Sequence, residues 1–247
     1  MTRRLTKMER LDKFLSARSG MSRKEAQKSI KNGEVTVNSE VCRAADFKID
    51  PGTDAVVLRG QAVCADEHIY IMLNKPAGVV SATEDRHDRT VLDILPPELR
   101  RKGLFPAGRL DKDTEGLLII TDDGDFAHRM LSPKKHVEKQ YIAQIDGEIT
   151  EDMIRAFERG ITFADGTECQ PARLEIVPNS GGMSGIVTIC EGKYHQVKKM
   201  FSVVGRKVVH LQRISIGNLY LDSNLPIGNA KKLTKLDIDA IFVGNIH

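Results

Sequence analysis

Asp111 stands in a glycine-bracketed loop, Gly108-Arg109-Leu110-Asp111-Lys112-Asp113-Thr114-Glu115-Gly116, and the apolar run Leu117-Leu118-Ile119-Ile120 follows at once. A carboxylate beside an arginine in such a loop can be held charged in a cleft while a buried strand fixes its position. The chemistry open to it is nucleophilic attack or proton removal. Two further stretches combine titratable and aromatic side chains. One is Lys134-Lys135-His136-Val137-Glu138-Lys139-Gln140-Tyr141, leading into a strand through Ile145; the other is Glu191-Gly192-Lys193-Tyr194-His195-Gln196-Val197-Lys198-Lys199-Met200-Phe201. In the second, Val197, Met200, Phe201 and Val204 recur at i, i+3, i+4 and i+7, so a helix there buries that stripe and leaves Lys198 beside it.

The elements that must position these groups are legible in outline. Leu11, Phe14 and Leu15 fall at helical spacing, and Gly20 supplies a stop. Ser22-Arg23-Lys24-Glu25 is a capping-box pattern that opens a second helix, which Gly33 ends. On that helix Lys24, Lys28 and Lys31 form a stripe on a different face from Ala26 and Ile30. Short strands are expected around residues 35–37 and 55–58, with Asp50-Pro51-Gly52 as a turn between them. Residues 60–67 read as a linker. From His68 the pattern changes: Ile69-Tyr70-Ile71-Met72-Leu73 reads as a strand entering the turn Asn74-Lys75-Pro76-Ala77-Gly78. Strands and helices then alternate irregularly, with neither a strict βαβ rhythm nor an internal repeat. That predicts an α+β fold with a mixed, largely antiparallel sheet and flanking helices.

A chain of 247 residues has room for two domains, and 40% hydrophobic with 29% charged residues is the composition of a soluble globular protein. No apolar run approaches a membrane span, and the basic N-terminus lacks the apolar core of a secretory signal, so the expected location is the cytoplasm. Cys42, Cys64, Cys169 and Cys190 form no C-x-x-C pair, and His128, His136 and His195 have no metal-ligand spacing, so neither a disulfide framework nor a metal site is expected. Asp111 to Asp122 partly fits a calcium loop, with acids at positions 1, 3 and 5 and Gly116 at position 6. Its second half is apolar and strand-like, however, and Phe105-Pro106-Ala107-Gly108 cannot be the entering helix. The net charge of +3 is uneven: the first 31 residues carry ten Lys or Arg against three Asp or Glu. A basic piece on a nearly neutral body suggests an appended nucleic-acid grip.

Residues 9–63, with Arg10-Leu11-Asp12-Lys13 at the start and Lys31-Asn32-Gly33-Glu34-Val35-Thr36-Val37-Asn38 at the hinge, resemble the small RNA-binding module of ribosomal protein S4 type. The Asp111 loop, the two later stretches and Leu73-Asn74-Lys75-Pro76 resemble, in order and spacing, segments of the RsuA family of pseudouridine synthases. The resemblance spans nearly the whole chain and implies two domains: residues 1–63 as the RNA-binding module and residues 64–247 as the catalytic domain. It implies isomerisation of a uridine in ribosomal RNA, or in a pre-ribosomal particle, with no cofactor; a monomer is the default expectation. Asp111 corresponds to the family's essential aspartate, Tyr141 to its active-site tyrosine and Lys198 to the basic partner of the aspartate. RNA contacts are expected from Arg109, Lys75, Lys139, His195 and Gln196, and in the N-terminal module from Arg10, Lys13, Arg23, Lys24, Lys28 and Lys31. Small-subunit (16S) RNA is the expected substrate, with large-subunit (23S) RNA as the alternative.

Two other readings compete. A glycoside hydrolase would pair Asp111 with Asp113, Glu115 or Asp123, but carboxylates in one loop do not ensure placement on opposite sides of a sugar. A non-enzymatic RNA-binding or ribosome-assembly factor would use the basic module, yet leaves the match of Asp111, Tyr141 and Lys198 to catalytic positions without a reason.

Overall fold

The computed structural model describes residues 8–19, 21–63 and 68–243. The chain divides into two compact units, Met1–Glu67 and His68–His247.

In the first unit, α1 (Leu11–Arg18) and α2 (Arg23–Lys31) pack on a sheet of short strands. Ser22 Oγ accepts from Glu25 N at 3.3 Å while the Glu25 carboxylate accepts from Ser22 N at 2.7 Å, which is the expected capping box. The stop assigned to Gly20 lies outside the described residues; α1 is closed by Ser19, whose N–H and hydroxyl both donate to the Leu15 carbonyl, at 2.8 and 2.6 Å. The strands are β1 (Glu9–Arg10), β2 (Val35–Val37), β3 (Glu40–Val41), β4 (Lys48–Ile49), β5 (Val56–Leu58) and β6 (Gln61–Val63). β3, β2, β5 and β6 form one antiparallel sheet, and β1 pairs with β4. Part of the expected linker is therefore a strand: Gln61–Val63 folds back on Val56–Leu58 through a turn at Arg59 and Gly60, both at positive φ. Leu11, Phe14, Leu15, Ala26 and Ile30 meet Val35, Ile49 and Val56 in the unit's core.

One charge is buried there. The Asp12 carboxylate accepts from Arg10 Nε and Nη2 at 3.1 Å each, from Arg23 Nε at 3.2 Å and from Gln27 Nε2 at 2.9 Å. The Arg10 hydrogen bonds outweigh the cost of burial and hold the Asp12 carboxyl well below the usual carboxylate range.

The second unit is built on a mixed sheet. Its strands are β7 (Tyr70–Lys75), β8 (Phe105–Ala107), β9 (Glu115–Thr121), β10 (Lys139–Ile145), β11 (Arg173–Ile176), β12 (Ser184–Ile189), β13 (Val208–Ile216), β14 (Leu219–Tyr220) and β15 (Ala230–Lys232). They run in the order β11-β12-β10-β13-β9-β7-β15, with β14 on β13 and β8 on β9. The β9–β13 pair is parallel, through Gln212 opposite Glu115 and Arg213 opposite Gly116; the other pairings are antiparallel. Leu117, Leu118, Ile119 and Ile120 are fully buried and alternate between two cores, so the apolar run is a strand covered on both faces. On one face α4 (Glu151–Arg159) and α5 (Gln196–Val203) supply Met153, Phe157, Val197, Met200 and Phe201 to the larger core. On the other, α3 (Gly124–Leu131) and α6 (Lys235–Ala240) supply Phe126, Met130 and Ile238. β7 continues through Asn74 and Lys75, which had been expected in the turn; Asn74 N donates to the Asn229 carbonyl at 3.0 Å, and the turn follows at Ala77 and Gly78. No helix among the described residues is long and apolar enough to cross a membrane.

Asp12→Asn is expected to destabilise the first unit at pH 7 by about 1–3 kcal/mol, the usual worth of hydrogen bonds to a buried charged group. Because the folded carboxyl titrates well below its unfolded value of 3.8, the stabilisation is fully present above that pH and is lost progressively beneath it, as pH falls toward the lower folded value. Urea unfolding, followed by hydrogen-exchange protection of the α1 and α2 amides, should show the gap between wild type and variant narrowing below pH 4. A gap independent of pH would contradict the assignment.

Candidate active site

The loop from β8 to β9 carries Asp111, and its backbone is held from beneath. Lys75, at the end of β7, is fully buried, and its Nζ donates to the carbonyls of Thr114 (2.9 Å), Pro76 (3.0 Å), Asp111 (3.1 Å) and Lys112 (3.2 Å). Ser81 Oγ donates to the Leu110 carbonyl at 2.9 Å and accepts from Leu110 N at 3.1 Å. Thr114 N closes a turn on the Asp111 carbonyl at 3.1 Å. At the exit, Gly116 has φ +99 and lies so close to β13 that a Cβ would strike the Arg213 carbonyl oxygen. A side chain is excluded there both by the left-handed backbone and by the neighbouring strand.

The Asp111 carboxylate, 24% exposed, faces the start of α5. Its Oδ2 lies 3.1 Å from Lys198 Nζ and its Oδ1 lies 3.4 Å from His195 Nε2. Val197, Met200 and Phe201 anchor α5 in the core, which leaves Lys198 beside the stripe and next to the loop. Lys198 is shared: its Nζ also meets Asp113 Oδ1 at 2.5 Å. Burial pulls the Lys198 ammonium down, but Asp113 and Asp111 outweigh it and hold the pKa above the usual lysine value; the bond to Lys198 lowers that of Asp113.

Asp111 and His195 border a cleft of about 420 Å³, lined also by Arg109, Tyr141 and Leu211. Tyr141, on β10, belongs to the larger core and is nine-tenths buried, yet it reaches the cleft. Its hydroxyl is 3.5 Å from Arg213 Nη1. Arg213 is itself buried and donates from Nε to the Leu117 carbonyl at 2.8 Å, while its Nη2 has no hydrogen-bond partner among the described residues. Sequence reasoning missed Arg213. Its signal is the period of two that puts it on one face of β13 between the buried Leu211 and Ser215.

The structure thus brings Asp111, Lys198, His195, Tyr141 and Arg109 together. Two expected RNA contacts stand elsewhere, and a third is held in the wall of the cleft. Lys75 is enclosed by carbonyls under the loop, and burial pulls its pKa down to about 8 against the charges of Asp113, Asp111 and Glu115. Lys139 is buried, donates to the Val137 carbonyl at 2.8 Å, and is drawn down to about 8 by burial and then by the Arg213 charge. Gln196 is buried and donates from Nε2 to Glu191 Oε1 at 2.7 Å. The two lysines are turned away from solvent, whereas Gln196 lines the cleft with its amide held by Glu191. Glu191, quoted in its motif but given no role, braces the approach to α5 by also accepting from Gln170 N at 3.0 Å and from the Lys193 ammonium.

In the first unit, Lys13, Lys24, Lys28 and Lys31 are exposed. Arg10 and Arg23 keep 40% and 55% of their side chains exposed while holding Asp12. The calcium-loop geometry does not form, since β9 carries Glu115–Thr121 away as an extended strand. Among the described residues no group of three or more His, Cys, Asp or Glu side chains is placed to hold a metal ion.

Residues 69–203 match the RNA pseudouridylate synthase family, and residues 9–54 match the S4 domain. The chain belongs to the RNA pseudouridine synthases, isomerases of uridine in RNA, with an S4 RNA-binding domain preceding the synthase domain. An uncharacterized RNA pseudouridine synthase of Bacillus subtilis is 45% identical over 93% of this chain and 96% of its own length. Ribosomal small subunit pseudouridine synthase A of Vibrio cholerae is 42% identical, and that of Escherichia coli 40%, each over 94% of this chain and 99% of its own. A crystal structure of a pseudouridylate synthase superposes with a TM-score of 0.66 at 36% identity, over 94% of this chain and 99% of that one.

If Lys75 positions the loop and does not touch RNA, Lys75→Met should lower kcat by roughly 10²-fold, the usual cost of misplacing a reacting group by an ångström. The slope of RNA affinity against salt should stay as in the wild type. A slope reduced by about one phosphate contact would overturn the positioning role.

Proposed function

We propose that this chain converts one uridine of small-subunit ribosomal RNA to pseudouridine, and that Asp111 starts the reaction. The observation that carries the reading is an aspartate fixed through its backbone, with its carboxylate 3.1 Å from Lys198 in a cleft that Tyr141 also lines. The small-subunit substrate is supported by the relatives of Vibrio cholerae and Escherichia coli, which match over nearly their full length.

In the reaction the bond between ribose C1′ and uracil N1 breaks, the base turns, and a C1′–C5 bond forms. C5 gives up its proton and N1 ends protonated, so atoms balance with no further reactant. Asp111 opens this sequence by attacking C1′ or by taking a proton from C2′, and both routes need an ionised carboxylate. Lys198 keeps it so by offsetting its desolvation. Tyr141 offers the flipped uracil a flat surface in place of its lost neighbours in the RNA. Arg109, exposed at the same cleft, grips phosphate. Residues 1–63 dock by phosphate contacts through Lys13 and the Lys24, Lys28 and Lys31 stripe, with shape guiding the fit more than base edges, and residues 64–247 carry the chemistry. The enzyme acts as a monomer in the cytoplasm, on ribosomal RNA or a pre-ribosomal particle.

The test is tritium release from 5-tritiated uridine in separate small- and large-subunit RNAs. Release from the small-subunit RNA is expected, abolished by Asp111→Asn with RNA affinity kept within a few-fold. Release from the large-subunit RNA alone would reassign the substrate. No release from either RNA, or from partly assembled particles of each, would overturn the reading.

A further inference from the structure

Tyr194 stands out on the surface of the second unit. It is 71% exposed, on the segment between β12 and α5. Its ring lies parallel to that of His195, with centroids 3.8 Å apart and planes 20° from coplanar. His195 is the inner ring: it lines the cleft, and its Nε2 is 3.4 Å from Asp111 Oδ1. His195 covers one face of Tyr194, and most of the residue is still in solvent.

The arrangement is held by force. His195 adopts φ 55, ψ 34, a left-handed backbone uncommon outside glycine. Lys193 N donates to Gln196 Oε1 at 2.9 Å, and the Gln196 amide is fixed in turn by buried Glu191. Lys199, at 5.5 Å from the Tyr194 ring centre, adds a cation beside the stack, itself 3.8 Å from Asp165 Oδ2. A braced, strained segment is thus presenting an aromatic face to water at the mouth of the cleft.

We propose that Tyr194 and His195 form a two-ring platform on which a nucleobase next to the target uridine stacks when the uridine enters the cleft. The proposal rests on the function proposed above. The target base itself must reach Asp111, on the His195 side, so a base on the outer face of Tyr194 belongs to a neighbouring nucleotide. Aromatic stacking is a sequence-tolerant way to hold an unpaired base, because every base has a π-face. Here it replaces the contact that the neighbour loses when the uridine leaves the helix. One basic side chain, Lys199, stands by the Tyr194 ring for a connecting phosphate.

A double-mutant cycle tests this with the full chain and a ribosomal RNA fragment that the wild type converts. The fragment is made intact and with an abasic site at each of the two nucleotides flanking the target, and kcat/KM is read by tritium release. For the wild type, one of the two abasic sites should lower kcat/KM by roughly 10- to 100-fold. Tyr194→Ala should cost as much on the intact RNA and little more on that abasic RNA, while Tyr194→Phe keeps the abasic penalty. Tyr194→Leu repeats the comparison should the alanine variant melt early. A tyrosine that only props His195 would act whatever base is missing, so penalties that multiply at both flanking sites overturn the platform. The same holds if neither abasic site has a cost. Wild-type turnover in those cases leaves the proposed function standing, whereas no turnover on any ribosomal RNA overturns both.

Discussion

One buried ammonium organises the catalytic domain. Lys75 is enclosed at the end of β7, where a bare charge would be costly, and it is satisfied by four carbonyl oxygens, three from the Asp111 loop and one from its own neighbour Pro76. The loop is in effect wound around that nitrogen. Asp111 turns its carbonyl inward to Lys75 and its carboxylate outward to Lys198, so it is held between two lysines, one through the main chain and one through the side chain. The outer lysine is divided between Asp111 and the more exposed Asp113, which leaves the three-group cluster one negative charge in excess when all are ionised.

A second constraint, the close approach of β9 and β13, couples this loop to Tyr141. Gly116 admits the Arg213 backbone, and the Arg213 side chain reaches back across the sheet to Leu117 and the Tyr141 hydroxyl. The parallel register at Gln212 and Arg213 therefore fixes where the loop ends and also where the tyrosine's polar end lies. Each side chain in the cleft is supported by an element that is itself buried: Asp111 by Lys75 and Ser81, Lys198 by the Val197, Met200 and Phe201 stripe, and Tyr141 by Arg213.

Much of this was legible in the chain. Alternation and continuous apolar runs located β9 and β10, the capping box located α2, and the spacing of Val197, Met200 and Phe201 was enough to leave Lys198 free for Asp111. What escaped was the burial of polar groups. A lysine inside a motif reads as a contact with RNA, and nothing local in Asn74-Lys75-Pro76 says that three carbonyls from a segment some forty positions away will join that of Pro76 in enclosing the ammonium. Lys139 was misread for the same reason. Gln61–Val63 was missed because a mostly exposed, three-residue edge strand is too short to show apolar alternation and depends on its partner to exist. Arg213 carried a signal, a charged residue in phase with buried ones, but its meaning appears only once β13 is seen between β9 and β10.

That position of β13 bears on the order in which the protein is made. The strand is among the last of the sheet to leave the ribosome, yet it lies near the sheet's middle, bonded on one side to β10 and on the other to β9. A chain that stops short of residue 208 has every other named cleft residue but leaves facing edges of both strands bare, with nothing to join the Asp111 half of the sheet to the Tyr141 half. The strand acts as a keystone set last. A fragment released early by a broken message lacks it, and with it the strand that unites the two halves of the catalytic sheet.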